Sequence, residues 1–333
     1  MKRTTPEETK LVICVWHKFT LWQPPAHFAA SIRRRWPAMH VLQLPTYDPV
    51  LDELPDTDIL VGFSLRPEQF AQAKKLKWIH ATAAGVGQLM YPELRQSGIV
   101  LTNARGIHSV PMSEHILGML IAMARHFPDA FRFQQAAHWA QQEIWDARPT
   151  ELNGKVLLIV GFGSIGHAVA RLLQPMSMRI WGMTRSGQGD AELVERILPA
   201  TELHTALPQA DFVILAAPET PDTRQMIGAR ELALMKPTAY FFNVARGTLV
   251  DQDALIAALR ARTIAGAALD VTAEEPLPPE SPLWKLDNVF ITPHISAATQ
   301  NLWQRQEDLL LENLERWFDG RELLNRVDLE RGY

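Results

Sequence analysis

The sequence predicts an α/β protein built from two doubly wound parallel-sheet domains. Its 333 residues are enough for two domains of ordinary size. Short apolar runs of strand length alternate with helical patterns in two successive series along the chain. In the second series, a glycine-rich loop joins an apolar run to a helical segment, as in nucleotide-binding βαβ units.

The composition is that of a globular protein, with 47% hydrophobic and 21% charged residues. It excludes disordered and collagen-like classes. The net charge of −4 gives no basic surplus for nucleic acid or an anionic membrane, so we expect neither as a partner. Cys14 is the only cysteine, which excludes an internal disulfide and a cysteine metal cluster, and no metal is expected. Without a signal-peptide core or an apolar span, we expect a cytoplasmic protein.

The first series of elements precedes a polar stretch rich in Gln and Trp. Strands are predicted over 11–16, 58–63, 78–79 and 99–103, and helices over 26–35 and 67–76. A long helix follows, with Ser109 as its N-cap and Pro111 in its first turn. Residues 127–150 have no strand pattern, which indicates a crossing or an arm segment.

The second series is richer in continuous apolar runs, which are typical of buried parallel strands. Strands are predicted over 156–160, 179–183, 212–216, 240–244, 264–269 and 288–292. Helices are predicted over 165–174, 252–260 and 299–318, and the last ends before Gly320.

The glycine-rich loop has the GxGxxG spacing and lies between a strand and a helix. Gly161 allows a tight turn, Gly163 lets the backbone approach a pyrophosphate, and Gly166 lets the helix pack closely on the sheet. Ser164 and Ile165 open the helix, whose free N–H groups and positive dipole favour phosphates. The loop therefore predicts a dinucleotide site.

The end of the next strand predicts which dinucleotide is bound. An NAD site usually has an Asp or Glu about 20 residues after the glycine loop. Here Thr184, Arg185 and Ser186 occupy that place, and no acid is present. A guanidinium and hydroxyl groups suit a 2′-phosphate, so we expect NADP(H) to be preferred, with NAD(H) as a possible second cofactor.

Polar residues follow three further predicted strands, at the sheet edge where ligands of open α/β sheets bind. They are Arg246, Asp270 with Glu275 close after it, and His294. Each has an alternative structural interpretation: Arg246 could pair with Asp251, Glu275 could be solvated, and a single histidine is usually a core or surface residue.

Taken together, these segments resemble the D-isomer-specific 2-hydroxyacid dehydrogenase family over about the whole chain. The resemblance rests on the glycine loop, on the order of the Arg, Glu and His segments, and on three short motifs. Those motifs are Thr82-Ala-Ala-Gly-Val86, Leu101-Thr-Asn103 and Ala217-Pro-Glu-Thr-Pro221. The chain departs from the family pattern at Gly87, where an Asp is frequent, and at Ser296, where a Gly is frequent.

The resemblance implies a role for each matching residue. His294 protonates the substrate carbonyl as hydride arrives, and Glu275 stabilises its imidazolium. Arg246 holds the substrate carboxylate and polarises the keto oxygen. The remaining implied contacts are backbone N–H groups of Ala84 and Gly85 to the carboxylate, Asp270 to the nicotinamide carboxamide, and Ala217, Pro218, Val244 and Ala245 along the cofactor.

The resemblance also implies two Rossmann-like or flavodoxin-like domains with a closing cleft between them. Residues 1–104 and 296–333 would form the substrate domain, and 105–295 the inserted dinucleotide-binding domain. The segment 127–150 would be a dimerisation arm, which predicts a homodimer. Trp139 or Trp145 could reach a partner's active site, although simple interface packing is the favoured interpretation.

The function expected from these residues is NADPH-dependent reduction of a small 2-oxo acid to the D-2-hydroxy acid. Glyoxylate and hydroxypyruvate are the first candidates, and branched or aromatic 2-oxo acids remain open. The alternative from another class is a dinucleotide-sensing binding protein on the same fold. The combination of Arg246, Glu275 and His294 argues against that alternative, because a sensor needs no proton relay.

Overall fold

The computed structural model describes residues 5–332, which form two compact units. The first unit runs to Ile107 and resumes at Ala298, and the second is His108–Ala297. The chain thus passes from the first unit to the second after Ile107 and returns to the first after Ala297. Among the described helices, none combines the length and apolar character that a membrane crossing requires.

The first unit is built on a parallel sheet with the order β2-β1-β3-β4-β5, which is the flavodoxin-like order. Alternate residues of each strand point to opposite faces. Leu11 and Ile13 therefore join a core covered by α1 and α12, while Val12 joins a second core on the other face. The strands are β1 Lys10–Cys14, β2 His40–Gln43, β3 Ile59–Gly62, β4 Trp78–Ala81 and β5 Val100–Asn103. The α-helices are α1 Ala26–Arg35, α2 Val50–Glu53, α3 Pro67–Phe70, α4 Pro92–Arg95 and α12 Leu302–Asp319.

The second unit is built on a parallel sheet with the order β12-β11-β10-β9-β6-β7-β8. Strand order reverses between β6 and β9, the Rossmann arrangement that leaves a crevice at their carboxyl ends. The strands are β6 Val156–Val160, β7 Arg179–Thr184, β8 Arg196–Pro199, β9 Phe212–Leu215, β10 Tyr240–Asn243, β11 Gly266–Leu269 and β12 Val289–Ile291. The α-helices are α5 Ser109–Ala124, α6 Phe127–Gln135, α7 Gln141–Asp146, α8 Ser164–Leu173, α9 Leu203–Ala206, α10 Ala229–Leu234 and α11 Gln252–Arg260.

The second sheet is also covered on both faces. Leu157 and Ile159 of β6 pack toward α5 and α8, and Leu158 faces a separate core on the opposite side. A helix layer on each face of a parallel sheet is the doubly wound arrangement. The predicted α/β fold class, with two such domains, is therefore confirmed.

Several predicted elements differ in detail. The edge strands β2 and β8 were not predicted, because they are only partly buried and lack a continuous apolar run. The helix predicted over 67–76 ends at Phe70, after which the chain continues in turns. Ser109 is the first helical residue of α5, and His108 holds the N-cap position. The segment 127–150 contains the two short helices α6 and α7.

Candidate active site

The glycine loop between β6 and α8 is folded so tightly that two of its positions require glycine. Gly161 has φ 98°, and a Cβ there would lie 2.4 Å from the backbone nitrogen of Ala217. A Cβ on Gly166 would lie 2.9 Å from the Phe162 ring and 3.3 Å from Gly161 O. The loop therefore packs directly against the end of β9, and the helix starts close to the sheet.

Gly163 has the opposite environment, since a Cβ there would meet nothing within 4 Å. It is the N-cap residue of α8, and both it and Ser164 are exposed, while Ile165 is half-buried. The first N–H groups of a helix have no acceptor within the helix. Exposed backbone, open space and a helix N-terminus together fit a dinucleotide pyrophosphate.

The chain after β7 forms a compact turn that presents Arg185 to solvent. The Thr184 hydroxyl donates to Gln188 O at 3.0 Å, and Ser186 Oγ accepts from Gln188 N at 3.4 Å. Arg185 lies between these two residues and is exposed. The turn thus presents a guanidinium and two hydroxyl groups at the strand end where the sequence lacks an acid.

Four of the predicted cofactor-lining residues follow β9, which pairs with β6, and β10, which pairs with β9: Ala217, Pro218, Val244 and Ala245. Ala217, Val244 and Ala245 are buried and Pro218 is exposed. The turn after Pro218 is held by Thr223, whose hydroxyl donates to Pro218 O at 2.8 Å. All four residues therefore lie at the same sheet edge as the glycine loop.

Arg246 projects from a turn that buried Asn243 holds on both sides. The Asn243 amide nitrogen donates to Arg246 O at 3.0 Å, and its oxygen accepts from Ala245 N at 3.0 Å. The Arg246 side chain is exposed, with Nη1 donating to Ala245 O at 2.7 Å. Asp251 is engaged elsewhere, because it caps α11 by accepting from Ala254 N. The alternative interpretation, in which Arg246 pairs with Asp251, is therefore not supported by the structure.

Glu275 and His294 form a direct pair. Glu275 Oε2 lies 2.6 Å from His294 Nδ1, and Oε1 accepts from Thr272 N at 3.1 Å. The same Thr272 abuts the Arg246 turn, since a Cβ on Gly247 would lie 1.9 Å from Thr272 O. The backbone of Thr272 therefore connects the three predicted residues. Its N–H bonds to Glu275, which pairs with His294, and its carbonyl oxygen lies against Gly247, next to Arg246. The His294 side chain is 49% exposed, and bonding at Nδ1 leaves Nε2 for another partner.

Asp270 has partners that the sequence did not reveal. Its side chain is fully buried, and its Oδ1 accepts from the Thr292 hydroxyl at 2.7 Å and from Ile295 N at 2.9 Å. Oδ2 accepts from Ser296 N at 3.0 Å, and the backbone oxygen of Asp270 accepts from His294 N at 2.8 Å. The carboxylate thus organises the His294 loop. Its expected contact with a nicotinamide carboxamide stays a prediction.

His115 and Thr292 are further members of this site that sequence reasoning missed. His115 Nε2, on α5, lies 3.0 Å from Thr292 Oγ1. Thr292 was detectable in principle, as a polar residue directly after an apolar strand. His115 gave no such signal, because it lies on a helix that is predominantly apolar and far from His294 in the sequence.

Ala84 and Gly85 lie in the first unit, in the exposed loop after β4. The loop is held at its carbonyl groups: Asn103 Nδ2 donates to Ala84 O at 2.7 Å, and Ala104 N donates to Ala83 O at 3.1 Å. A Cβ at Gly87 would meet nothing within 4 Å, so at this departure from the family pattern the space beside the backbone is open. The expected contact of Ala84 and Gly85 with a carboxylate stays a prediction.

Comparison with known proteins gives a consistent result. Residues 117–296 match the model of the D-isomer specific 2-hydroxyacid dehydrogenase NAD binding domain. The glyoxylate reductase of Pyrococcus furiosus is 38% identical over 274 residues, which cover 80% of each chain.

Two solved structures share the fold over nearly the full chain. One is a D-isomer specific 2-hydroxyacid dehydrogenase from Xanthobacter autotrophicus in complex with NADPH and MES. It is 28% identical, with a TM-score of 0.82 over 98% of this chain and 99% of that one. The other is the NADPH-dependent glyoxylate/hydroxypyruvate reductase of Sinorhizobium meliloti in complex with NADP and sulfate. It is 25% identical, with a TM-score of 0.80 over 98% and 100% of the two chains.

The fold of this chain agrees with the folds of these two solved structures. The chain is an oxidoreductase with a nicotinamide dinucleotide site, and it belongs to the D-isomer-specific 2-hydroxyacid dehydrogenase family.

Proposed function

We propose that this chain reduces a small 2-oxo acid, with glyoxylate and hydroxypyruvate as first candidates, to the D-2-hydroxy acid with NADPH. The observation that carries the proposal is the 2.6 Å pair of His294 and Glu275, joined through Thr272 to the turn of Arg246. A proton donor and a cation at one site suit a ketone whose oxygen gains negative charge during reduction. Relatives named glyoxylate reductase support the substrate class.

The residues present fit a dinucleotide. The N–H groups of Ser164 and Ile165 would hold its pyrophosphate, the 184–186 turn its ribose phosphate, and the residues after β9 and β10 its nicotinamide half. When bound in its reduced form, the dinucleotide supplies a hydride to the substrate carbonyl carbon.

The protein residues then act on the substrate. Arg246 binds the carboxylate with its planar fork and stabilises charge on the keto oxygen. His294 donates a proton from Nε2 to that oxygen as the hydride adds to the carbon. Glu275, bonded to Nδ1, holds the ring in place and stabilises the imidazolium before the proton is transferred.

A direct assay tests the proposal. The purified protein is mixed with NADPH or NADH and a panel of glyoxylate, hydroxypyruvate, pyruvate, and branched and aromatic 2-oxo acids. Oxidation of the cofactor is followed by absorbance, and the product configuration is determined by chiral chromatography. Turnover with a small 2-oxo acid and a D product is expected, except that glyoxylate gives an achiral product. No turnover with any acid would overturn the proposal in favour of a dinucleotide-sensing protein.

We propose that Arg185 gives the preference for NADPH. Replacing Arg185 with alanine is expected to lower kcat/KM for NADPH by about 10- to 100-fold, because a hydrogen bond to a charged group contributes about 1.5–3 kcal/mol. The value for NADH serves as the internal control and should stay nearly constant, since NADH has no 2′-phosphate. An equal loss with both cofactors would show that Arg185 does not read that phosphate.

We also propose that the arm over residues 127–150 forms a homodimer interface. Large aromatic side chains are unusually exposed on it: Phe131 by 63%, Trp139 by 87% and Trp145 by 64%. Exposed aromatic groups of this size mark protein contacts. Light scattering after size exclusion should give twice the chain mass, and Trp139→Ser with Trp145→Ser should lower it to that of one chain. A wild-type monomer would contradict the proposal.

A further inference from the structure

We propose that His115 is a positioning residue for the reaction, and that it orients the backbone around His294 through Thr292 and Asp270. The inference rests on the proposed function, because it assigns His115 a role through the proton donor named there. Its structural basis is the chain of hydrogen bonds from α5 to the loop that follows β12.

The directions of these hydrogen bonds are determined by the available hydrogens. The single proton of the Thr292 hydroxyl is donated to Asp270 Oδ1 at 2.7 Å. Thr292 Oγ1 must therefore accept at its 3.0 Å contact with His115 Nε2, so this nitrogen carries a hydrogen. Burial lowers the pKa of His115, although the Asp270 charge opposes the change. The hydrogen bonds therefore require a proton on Nε2, and the lowered pKa favours the neutral imidazole at neutral pH.

His115 also matters for the charge on Asp270. The Asp270 carboxylate is fully buried, and His115 Nε2 is 3.7 Å from Oδ1. Within residues 5–332, His115 is the one basic side chain whose nitrogen lies within 4.0 Å of this carboxylate. Buried carboxylates depend on hydrogen-bond donors, and bonds in series polarise one another. The His115 N–H therefore strengthens the Thr292 hydroxyl as a donor to Asp270.

The His294 backbone requires such support. Its φ of 53° lies in the left-handed region, which disfavours residues other than glycine. Three consecutive N–H groups, those of His294, Ile295 and Ser296, donate to oxygens of Asp270. The orientation of Asp270 consequently decides the orientation of the loop that carries the proton donor.

The test compares His115→Leu with His115→Gln, because glutamine can supply an N–H donor at a similar distance from the backbone. His115→Leu is expected to lower kcat by up to about 100-fold, which is the cost of misplacing a reacting group by about 1 Å. His115→Gln should retain kcat within a few-fold of the unchanged protein. The dissociation constant of NADPH should stay constant in both. His204→Leu, at a histidine that pairs with Glu231 on another part of the unit, is the matched control.

Hydrogen exchange provides a readout that does not depend on activity. The amides of Ile295 and Ser296 should exchange faster in His115→Leu and in Thr292→Val, but not in His115→Gln or Thr292→Ser. Faster exchange with unchanged kcat would overturn the positioning role, as would equal losses of kcat in the Leu and Gln variants.

A double variant separates this inference from the proposed function. If His115 acts through His294, adding His115→Leu to His294→Ala should cause no further loss of kcat. A further loss would overturn the inference. If His294→Ala alone kept full turnover, the proposed proton donor would be wrong, and the positioning role would fall with it. The exchange data would still report whether His115 holds the loop.

Discussion

Replacing His294 with alanine is expected to lower kcat for 2-oxo acid reduction by about 10²- to 10⁴-fold, the usual contribution of a general acid. The variant loses the proton donor proposed for the carbonyl oxygen. Glu275 keeps its hydrogen bond from Thr272 N, so the rest of the site should stay in place. NADPH should bind nearly as before, because the glycine loop and the 184–186 turn are unchanged. Stopped-flow measurement of cofactor oxidation and a fluorescence titration of NADPH separate the two effects.

Glu275→Gln provides the graded comparison for this prediction. A glutamine oxygen can still accept from His294 Nδ1, but it lacks the charge that stabilises the imidazolium. Its kcat should therefore fall between those of the unchanged protein and His294→Ala. Near wild-type turnover in His294→Ala would show that another group supplies the proton.

Replacing Arg246 with methionine is expected to lower kcat/KM by about 10²- to 10³-fold, as does the loss of one donor to a developing oxyanion. Both KM and kcat should change, because the guanidinium is proposed to bind the carboxylate in the ground state and to stabilise oxygen charge in the transition state. Arg246→Lys should recover only part of the loss, since an ammonium group lacks the planar fork. Steady-state kinetics over a range of 2-oxo acid concentrations measure both parameters.

The control for Arg246 is Arg35→Met, which removes an exposed arginine paired with Glu315 in the first unit. A surface pair of this kind contributes little to the stability of the protein. The kcat and KM of Arg35→Met should therefore equal those of the unchanged protein. Added guanidinium salt should partly restore the activity of Arg246→Met, because the Arg246 side chain is exposed and a free guanidinium ion can reach its place. Unchanged kinetics in Arg246→Met would mean that the carboxylate is bound elsewhere.

Much of the architecture could be predicted because buried parallel strands have a strong apolar signal. The strand Val156–Val160 and the helices Ala26–Arg35 and Gln252–Arg260 have the predicted bounds. Edge strands β2 and β8 could not be predicted in this way, since half-buried strands need less apolar surface. The sequence could single out Arg246, Glu275 and His294 as candidates because each comes after an apolar strand, near the sheet edge where ligands of such folds bind.

The sequence by itself determined the two-domain α/β class, the glycine loop and the identity of the groups available for chemistry. Periodicity and strand-end position are local properties, so they can be interpreted without coordinates. Only the tertiary structure decided that Asp270 organises the His294 loop and that His115 reaches Thr292. These contacts join segments separated by 25 and 177 positions in the chain. Such pairings depend on how helices pack on the sheet, and no local pattern encodes them.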